Sequence, residues 1–300
     1  MKAENTEKKA GGILIWGVAI LSIVLGVGIF LYPFISNFFA ELNQNKVIDL
    51  YKATVEETNK EEIEAEWEEA RIYNENLSGD PVHDPFIVGS GYAVPDNYDE
   101  VLNLDEAMCY VEIPKLDLKL PVYHGTSEEV LRKGVGHLEM TALPIGGKNR
   151  RTVLTGHRGL PRAELFTRLD EMELGDEIYI HVLDEIHAYK VKEIETVEPE
   201  KLQDLTITPD GEDLVTLVTC TPYGVNTHRL LVTGERTEYV PREETEGPAA
   251  SFIRRLMPWK YYIIGIAVVI GVFGTGKITM TILRYRKYGK LRRRWRKKRR

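Results

Sequence analysis

Cys220 closes an apolar run, Thr216-Leu217-Val218-Thr219-Cys220-Thr221-Pro222, that reads as a β-strand stopped by Pro222. A thiol at a strand end is held rigidly and faces a loop-built cleft, which suits a nucleophile. A buried structural cysteine has the same local pattern, because free Cys is among the most buried residue types. His157 holds a similar place in Leu154-Thr155-Gly156-His157-Arg158-Gly159, at another strand end with glycines on either side. A lone Cys and a distant His are the parts of a thiol nucleophile with its acid/base partner, and a surface-loop His is the plain alternative. Arg229 follows nine residues after Cys220 across a turn-rich segment. The two therefore fall on neighbouring antiparallel strands near one rim. A fixed guanidinium there can steady an oxyanion or orient a carbonyl, unless it is an ordinary surface Arg.

Metal chemistry has little support. The other six His are scattered, and two Cys without a C-x-x-C spacing do not make a zinc site. The same two Cys are too few for a disulfide scaffold.

The elements that must position these groups are short. Runs rich in Val, Ile, Leu, Tyr and Thr predict strands over Met108–Ile113, Leu116–Val122, Thr152–Thr155, Glu177–Leu183, His187–Ile194, Leu214–Cys220 and Arg229–Thr233. Short helices are expected at Ser127–Lys133 and Ala163–Leu169. Many short strands with few helices imply a barrel or sandwich rather than a βαβ sheet. Ahead of them, residues 41–79 read as helix, with Ile63, Trp67 and Ile72 roughly on one stripe, forming a spacer. Two Asp-Pro pairs within residues 79–86 then force extended or turn backbone, so residues 79–98 read as a long loop.

Composition fixes the class and the compartment. The 300 residues are 43% hydrophobic and 28% charged, which excludes a disordered chain. Gly11 to Ala40 carries no charged side chain, and Ile13 to Tyr32 alone is long enough to span a bilayer. A second span is expected over 259–283, with Lys277 near its end able to snorkel. Lys2, Lys8 and Lys9 precede the first span, and twelve Lys/Arg fill the final seventeen residues. The positive-inside bias then puts both termini in the cytoplasm and the body outside. The first segment has no convincing cleavage site for a signal peptide, so an uncleaved anchor is expected. Residues 13–283 hold 24 basic and 44 acidic side chains, a net of −20, which argues against nucleic-acid binding. The basic tail reads as a topological lock attracted to anionic lipid.

Taken together, Thr216–Arg229 and Thr155-Gly156-His157 resemble the signature of the sortases, cell-surface cysteine transpeptidases of Gram-positive bacteria. Tyr110-Val111-Glu112-Ile113-Pro114, Tyr123-His124-Gly125-Thr126, Gly134-Val135-Gly136-His137-Leu138 and Pro144-Ile145-Gly146-Gly147 match as well. Asp84-Pro85-Phe86 resembles the lid of the class C sortases, which polymerise pilins. The resemblance implies a mainly β fold: a closed eight-stranded barrel with short helices, an N-terminal helical segment and a lid, flanked by two membrane helices. With the spans read above, the chain divides into a cytoplasmic end (1–10), an anchor (11–34), a helical spacer (35–79) and a lid loop (80–98). The barrel (99–240), a linker (241–258), a second span (259–283) and a cytoplasmic tail (284–300) follow.

By the same resemblance Cys220 is the nucleophile, His157 the general acid/base and Arg229 the third member. Thr219 and Thr155 are possible substrate-binding residues, and no metal or cofactor is required. The implied substrate is a Leu-Pro-x-Thr-Gly-like sorting signal on a secreted pilin, resolved by a lysine amine of another pilin. Partners are thus pilins and the cell membrane. Two alternatives are a housekeeping sortase using a peptidoglycan amine and a non-catalytic pilus-assembly scaffold. Two departures stand out: Cys109, where relatives have Gly, reads as an apolar filler, and Met140-Thr141-Ala142-Leu143-Pro144 replaces a commoner Gly-Thr-Ser-Leu-Pro.

Overall fold

The computed structural model describes residues 2–77, 86, 97–241 and 265, with side chains from residue 20 onward. Residues 1–241 form one compact unit. Its body is a closed barrel of eight strands: β1 (Cys109–Ile113), β2 (Leu118–Tyr123), β3 (Val135–His137), β4 (Arg150–Thr155), β5 (Glu177–Val182), β6 (Glu185–Val197), β7 (Asp213–Thr221) and β8 (His228–Thr237). They close in the order β1-β2-β3-β4-β7-β8-β6-β5. The pairs β2·β3 and β4·β7 are parallel and the others antiparallel. Closure leaves no edge strand in the barrel. Val111, Ile113, Leu120, Val122, Leu154, Ile178, Val215, Leu217 and Val232 fill the interior, each at most 1% exposed.

The predicted strands recur, most of them longer than expected. Strand β3 was not among them: it is three residues long and centred on a glycine, so neither length nor β-branching marks it. Ala163–Leu169, expected as a helix, is a series of turns ending in a 3-10 segment at Leu169–Glu171. Leu165 there adopts φ 40° and is buried beside Phe166, so local packing overrides helical propensity. A further 3-10 segment spans Pro199–Thr206. Helix α3 (Glu128–Lys133) forms as expected, capped by the Ser127 side chain.

Helix α1 (Lys2–Glu57) is continuous from the predicted span into the expected spacer, and α2 (Lys60–Glu75) follows after Asn59, whose side chain caps it. Among the described residues α1 is the helix long and apolar enough to cross a membrane. Both helices lie against the barrel. The Tyr51 hydroxyl donates to the Met108 carbonyl at 3.3 Å and accepts from the Leu183 N–H at 2.8 Å. The Trp67 indole donates to Asp184 at 2.9 Å, and the Asn74 side chain brackets the backbone of Leu143. The buried stripe of α2 runs Ile63, Trp67, Ala70, Tyr73, Asn74. Ile72, expected on it, falls out of phase with the 3.6-residue repeat and is exposed.

The second span, the linker beyond Pro241 and the basic tail lie outside the described residues, Gly265 excepted. So do Asp84 and Pro85. Of the predicted lid loop, Phe86, Asn97 and Tyr98 are described.

Candidate active site

The site begins with two strands that run the same way. β4 and β7 are parallel neighbours, with Thr155 opposite Val218, so both end on the same side of the barrel. His157 follows the end of β4, and Cys220 is the penultimate residue of β7. The Gly156 N–H donates to the Val218 carbonyl at 3.1 Å, and the Thr219 hydroxyl donates to the Gly156 carbonyl at 2.7 Å. These bonds fasten the turn before His157 to the strand that presents Cys220.

Two glycines let the chain fold this tightly. A Cβ on Gly156 would lie 2.7 Å from the Phe166 ring, so only glycine fits there. Gly159 has φ +80°, and a Cβ on it would meet the Tyr223 ring at 2.9 Å. The loop after His157 thereby touches the loop after Cys220. Arg158 strengthens this link: it donates to the Thr221 hydroxyl at 3.1 Å, pairs with Asp170, and its guanidinium lies 5.8 Å from the Tyr223 ring centre.

Arg229 is the direct cross-strand partner of Cys220 in the β7·β8 ladder. Opposed residues point to the same face, with Cβ atoms about 4.5–5.5 Å apart. The guanidinium is held by the carbonyls of Asn226 and His228, both at 3.0 Å. Phe86 lies over the pair of basic groups. Its ring is 5.4 Å from the His157 ring, and the Arg229 guanidinium is 5.0 Å from it. Cys220 and Arg229 are 6% and 4% exposed, so the thiol is sheltered rather than open. A thiol, an imidazole and a guanidinium at one rim form a set able to carry out acyl transfer through a thioester.

The structure brings Cys220, His157, Arg229 and Phe86 together. Thr219 and Thr155, expected as possible substrate-binding residues, are fully buried in the barrel wall. Thr219 serves as a fastener because its hydroxyl is engaged by Gly156. Arg158, Asp170, Glu128 and Tyr223 were not anticipated. Arg158 adjoins His157 in the chain, which is a usable signal, whereas Asp170 and Glu128 carry none. Among the described residues no cluster of His, Cys, Asp and Glu could hold a metal. Cys109 is buried in the core, where desolvation pushes its thiol well above the usual range, as an inert filler should behave.

Burial holds the His157 imidazole below the ordinary histidine pKa. The Glu128 carboxylate, 3.8 Å from Nε2, raises it, and Arg132, which pairs with Glu128 at 2.9 Å, lowers it. Glu128→Gln removes the raising charge, so the His157 midpoint should fall further and the imidazolium should appear only at lower pH. NMR titration of the His157 ring protons checks this. A midpoint that stays put or rises means that Glu128 does not set the charge of the imidazole.

Residues 111–237 match the model of the sortase domain. Sortase C1 of Streptococcus agalactiae is 41% identical, with a TM-score of 0.60, over 66% of this chain and 97% of that one. Sortase C-1 of Streptococcus pneumoniae is 42% identical, with a TM-score of 0.61, over 65% of this chain and all of that one (100%). Sortase A of Listeria monocytogenes is 25% identical over 230 residues, 75% of this chain and 94% of that protein. With a closed barrel, a thiol and an imidazole at one rim, and relatives of this similarity along nearly their whole length, the chain belongs to the sortase family of cysteine transpeptidases.

Proposed function

We propose that this enzyme polymerises pilins, cleaving a Leu-Pro-x-Thr-Gly-like sorting signal and joining the acyl product to a lysine amine of another pilin. The supporting observation is the register that pairs Cys220 with Arg229 beside His157, on a fold whose structural relatives include class C sortases. In this reading the Cys220 thiolate attacks the Thr carbonyl carbon and the C–N bond to Gly breaks. The His157 imidazolium gives its proton to the departing amine, leaving a thioester on Cys220. Neutral His157 then takes a proton from the incoming lysine ammonium, and the amine displaces the thiol to form an isopeptide bond. Arg229, held by two carbonyls, steadies the carbonyl oxygen in both steps.

The apolar part of α1 anchors the enzyme in the cell membrane, a second span follows at 259–283, and the barrel lies outside with both termini in the cytoplasm. The long charge-free run and the twelve basic residues of the tail support this topology.

Asp84, Pro85 and Phe86 belong to a lid in the same reading. The support comes from Phe86, whose ring covers His157 and Arg229. Contacts of this kind are worth about 0.5–2 kcal/mol, so substrate binding can displace the ring. Phe86→Ala should therefore raise the rate at which a small thiol reagent modifies Cys220, by roughly twofold to thirtyfold if about that contact energy is lost. Unchanged reactivity contradicts the lid.

Acyl acceptors discriminate the function itself. When the enzyme, a sorting-signal substrate, a lysine-bearing pilin and a peptidoglycan-type amine are mixed, the pilin–pilin isopeptide should dominate. Preferential capture by the wall amine would make this a housekeeping enzyme. A Cys220→Ala chain that still joins pilins would refute the assignment of the nucleophile.

A further inference from the structure

The direction in which the catalytic end of the barrel faces can be traced strand by strand. β4 and β7 both end at the cleft. β8 runs against β7 and so begins there, and β6 runs against β8 and so ends there. β5 runs against β6 and begins at the cleft end, placing Leu174 just before it on the same rim. β5 therefore finishes at the far end, where Leu183 follows it, and β1, antiparallel to β5, starts at the far end beside Met108.

Helix α1 touches both ends in order. The Ser36 hydroxyl donates to the Arg162 carbonyl at 3.4 Å, and Arg162 lies in the loop that leaves His157. Fifteen residues later, the Tyr51 hydroxyl binds Met108 and Leu183 at the far end. At 1.5 Å per residue that interval is about 22 Å along the helix axis. The helix therefore leaves its charge-free segment beside the cleft and climbs the barrel towards the opposite end. Ser36 itself lies inside the run Gly11 to Ala40 that has no charged side chain. Taking Tyr32 as the last spanning residue puts Ser36 only about 6 Å beyond the hydrocarbon. A span drawn later in the run brings the cleft closer still.

The surface at this end agrees. On the helix, Ile35, Phe39 and Leu42 remain exposed past Tyr32. On the barrel, Leu174, Tyr223 and Val225 are 69%, 60% and 64% exposed, and all three belong to loops at the cleft end. Exposed apolar and aromatic side chains on loops at the cleft end are what a lipid interface accommodates.

We infer that the enzyme works face down: the end of the barrel bearing Cys220, His157 and Arg229 rests against the outer surface of the bilayer, with Leu174, Tyr223 and Val225 in the headgroup layer. The helical segment does not lift the catalytic end away from the membrane. It lowers that end onto the membrane and holds the far end aloft. This rests on the reading that the apolar part of α1 spans the bilayer.

The test uses the full chain in phosphatidylcholine vesicles, in a Cys220→Ala background that removes the sheltered thiol and leaves only the buried Cys109. Single cysteines are introduced by Val24→Cys in the span, Leu174→Cys and Val225→Cys at the cleft end, and Asp210→Cys ahead of β7 at the far end. Each is labelled with a small fluorophore and titrated with lipids spin-labelled in the headgroup or the acyl chain. Acyl-chain quenching at position 24, with headgroup quenching at 174 and 225 severalfold stronger than at 210, is the expected result. If position 24 is quenched but 174 and 225 respond no more than 210, the chain spans the membrane and the face-down orientation is wrong. If position 24 is not quenched either, the membrane reading fails and takes this inference with it.

Discussion

The parallel pairing of β4 with β7 is the constraint on which the site depends. Antiparallel neighbours would put the ends of these strands on opposite sides of the barrel, and His157 could not meet Cys220. Parallel strands cannot be joined by a tight turn, and the chain between them here builds β5 and β6 before returning. The active site is therefore assembled last in topological terms, from segments 63 residues apart. Short bonds across the seam make it rigid: Gly156 to Val218, Thr219 to Gly156, and Arg158 to Thr221. Once β7 is placed, its antiparallel partner β8 brings Arg229 opposite Cys220 without any further device.

Around that seam the protein uses burial as its main electrostatic tool. His137, wholly buried against Tyr98, is pushed down to about 4 and stays neutral as a structural group. His157 is also depressed by burial, but its side chain keeps 19% exposure, and Glu128 raises it while Arg132 lowers it. The contrast separates a histidine that holds the fold from one able to exchange protons. Phe86 adds shelter from water, which strengthens the influence of nearby charges on the site.

Much of this was legible in the sequence because the catalytic strands follow a simple grammar. An apolar run ends in a reactive side chain, and Gly or Pro stops it, as at Cys220 and His157. The nine-residue spacing to Arg229 encoded a hairpin, and the register confirmed it. Other features had no local signal. Three residues centred on Gly136 become β3 only because β2 and β4 lie on either side of it. Residues 163–169 resemble a helix by composition, but Phe166 is needed under Gly156, and the backbone bends to supply it. Glu128 and Asp170 reach the site through tertiary proximity alone. The continuous α1 hid a further relation, since a helix predicted merely as a spacer has a direction that only its contacts reveal.

The central claim is that the Cys220 sulfur carries the acyl group. It is tested most directly by intact-mass and peptide-level mass spectrometry of the enzyme mixed with a sorting-signal peptide and no acceptor amine. The account predicts an adduct on Cys220 equal to the peptide up to and including its Thr, discharged by hydroxylamine and absent from Cys220→Ala. An adduct on Cys109, or product formed with no acyl group on Cys220, would contradict it.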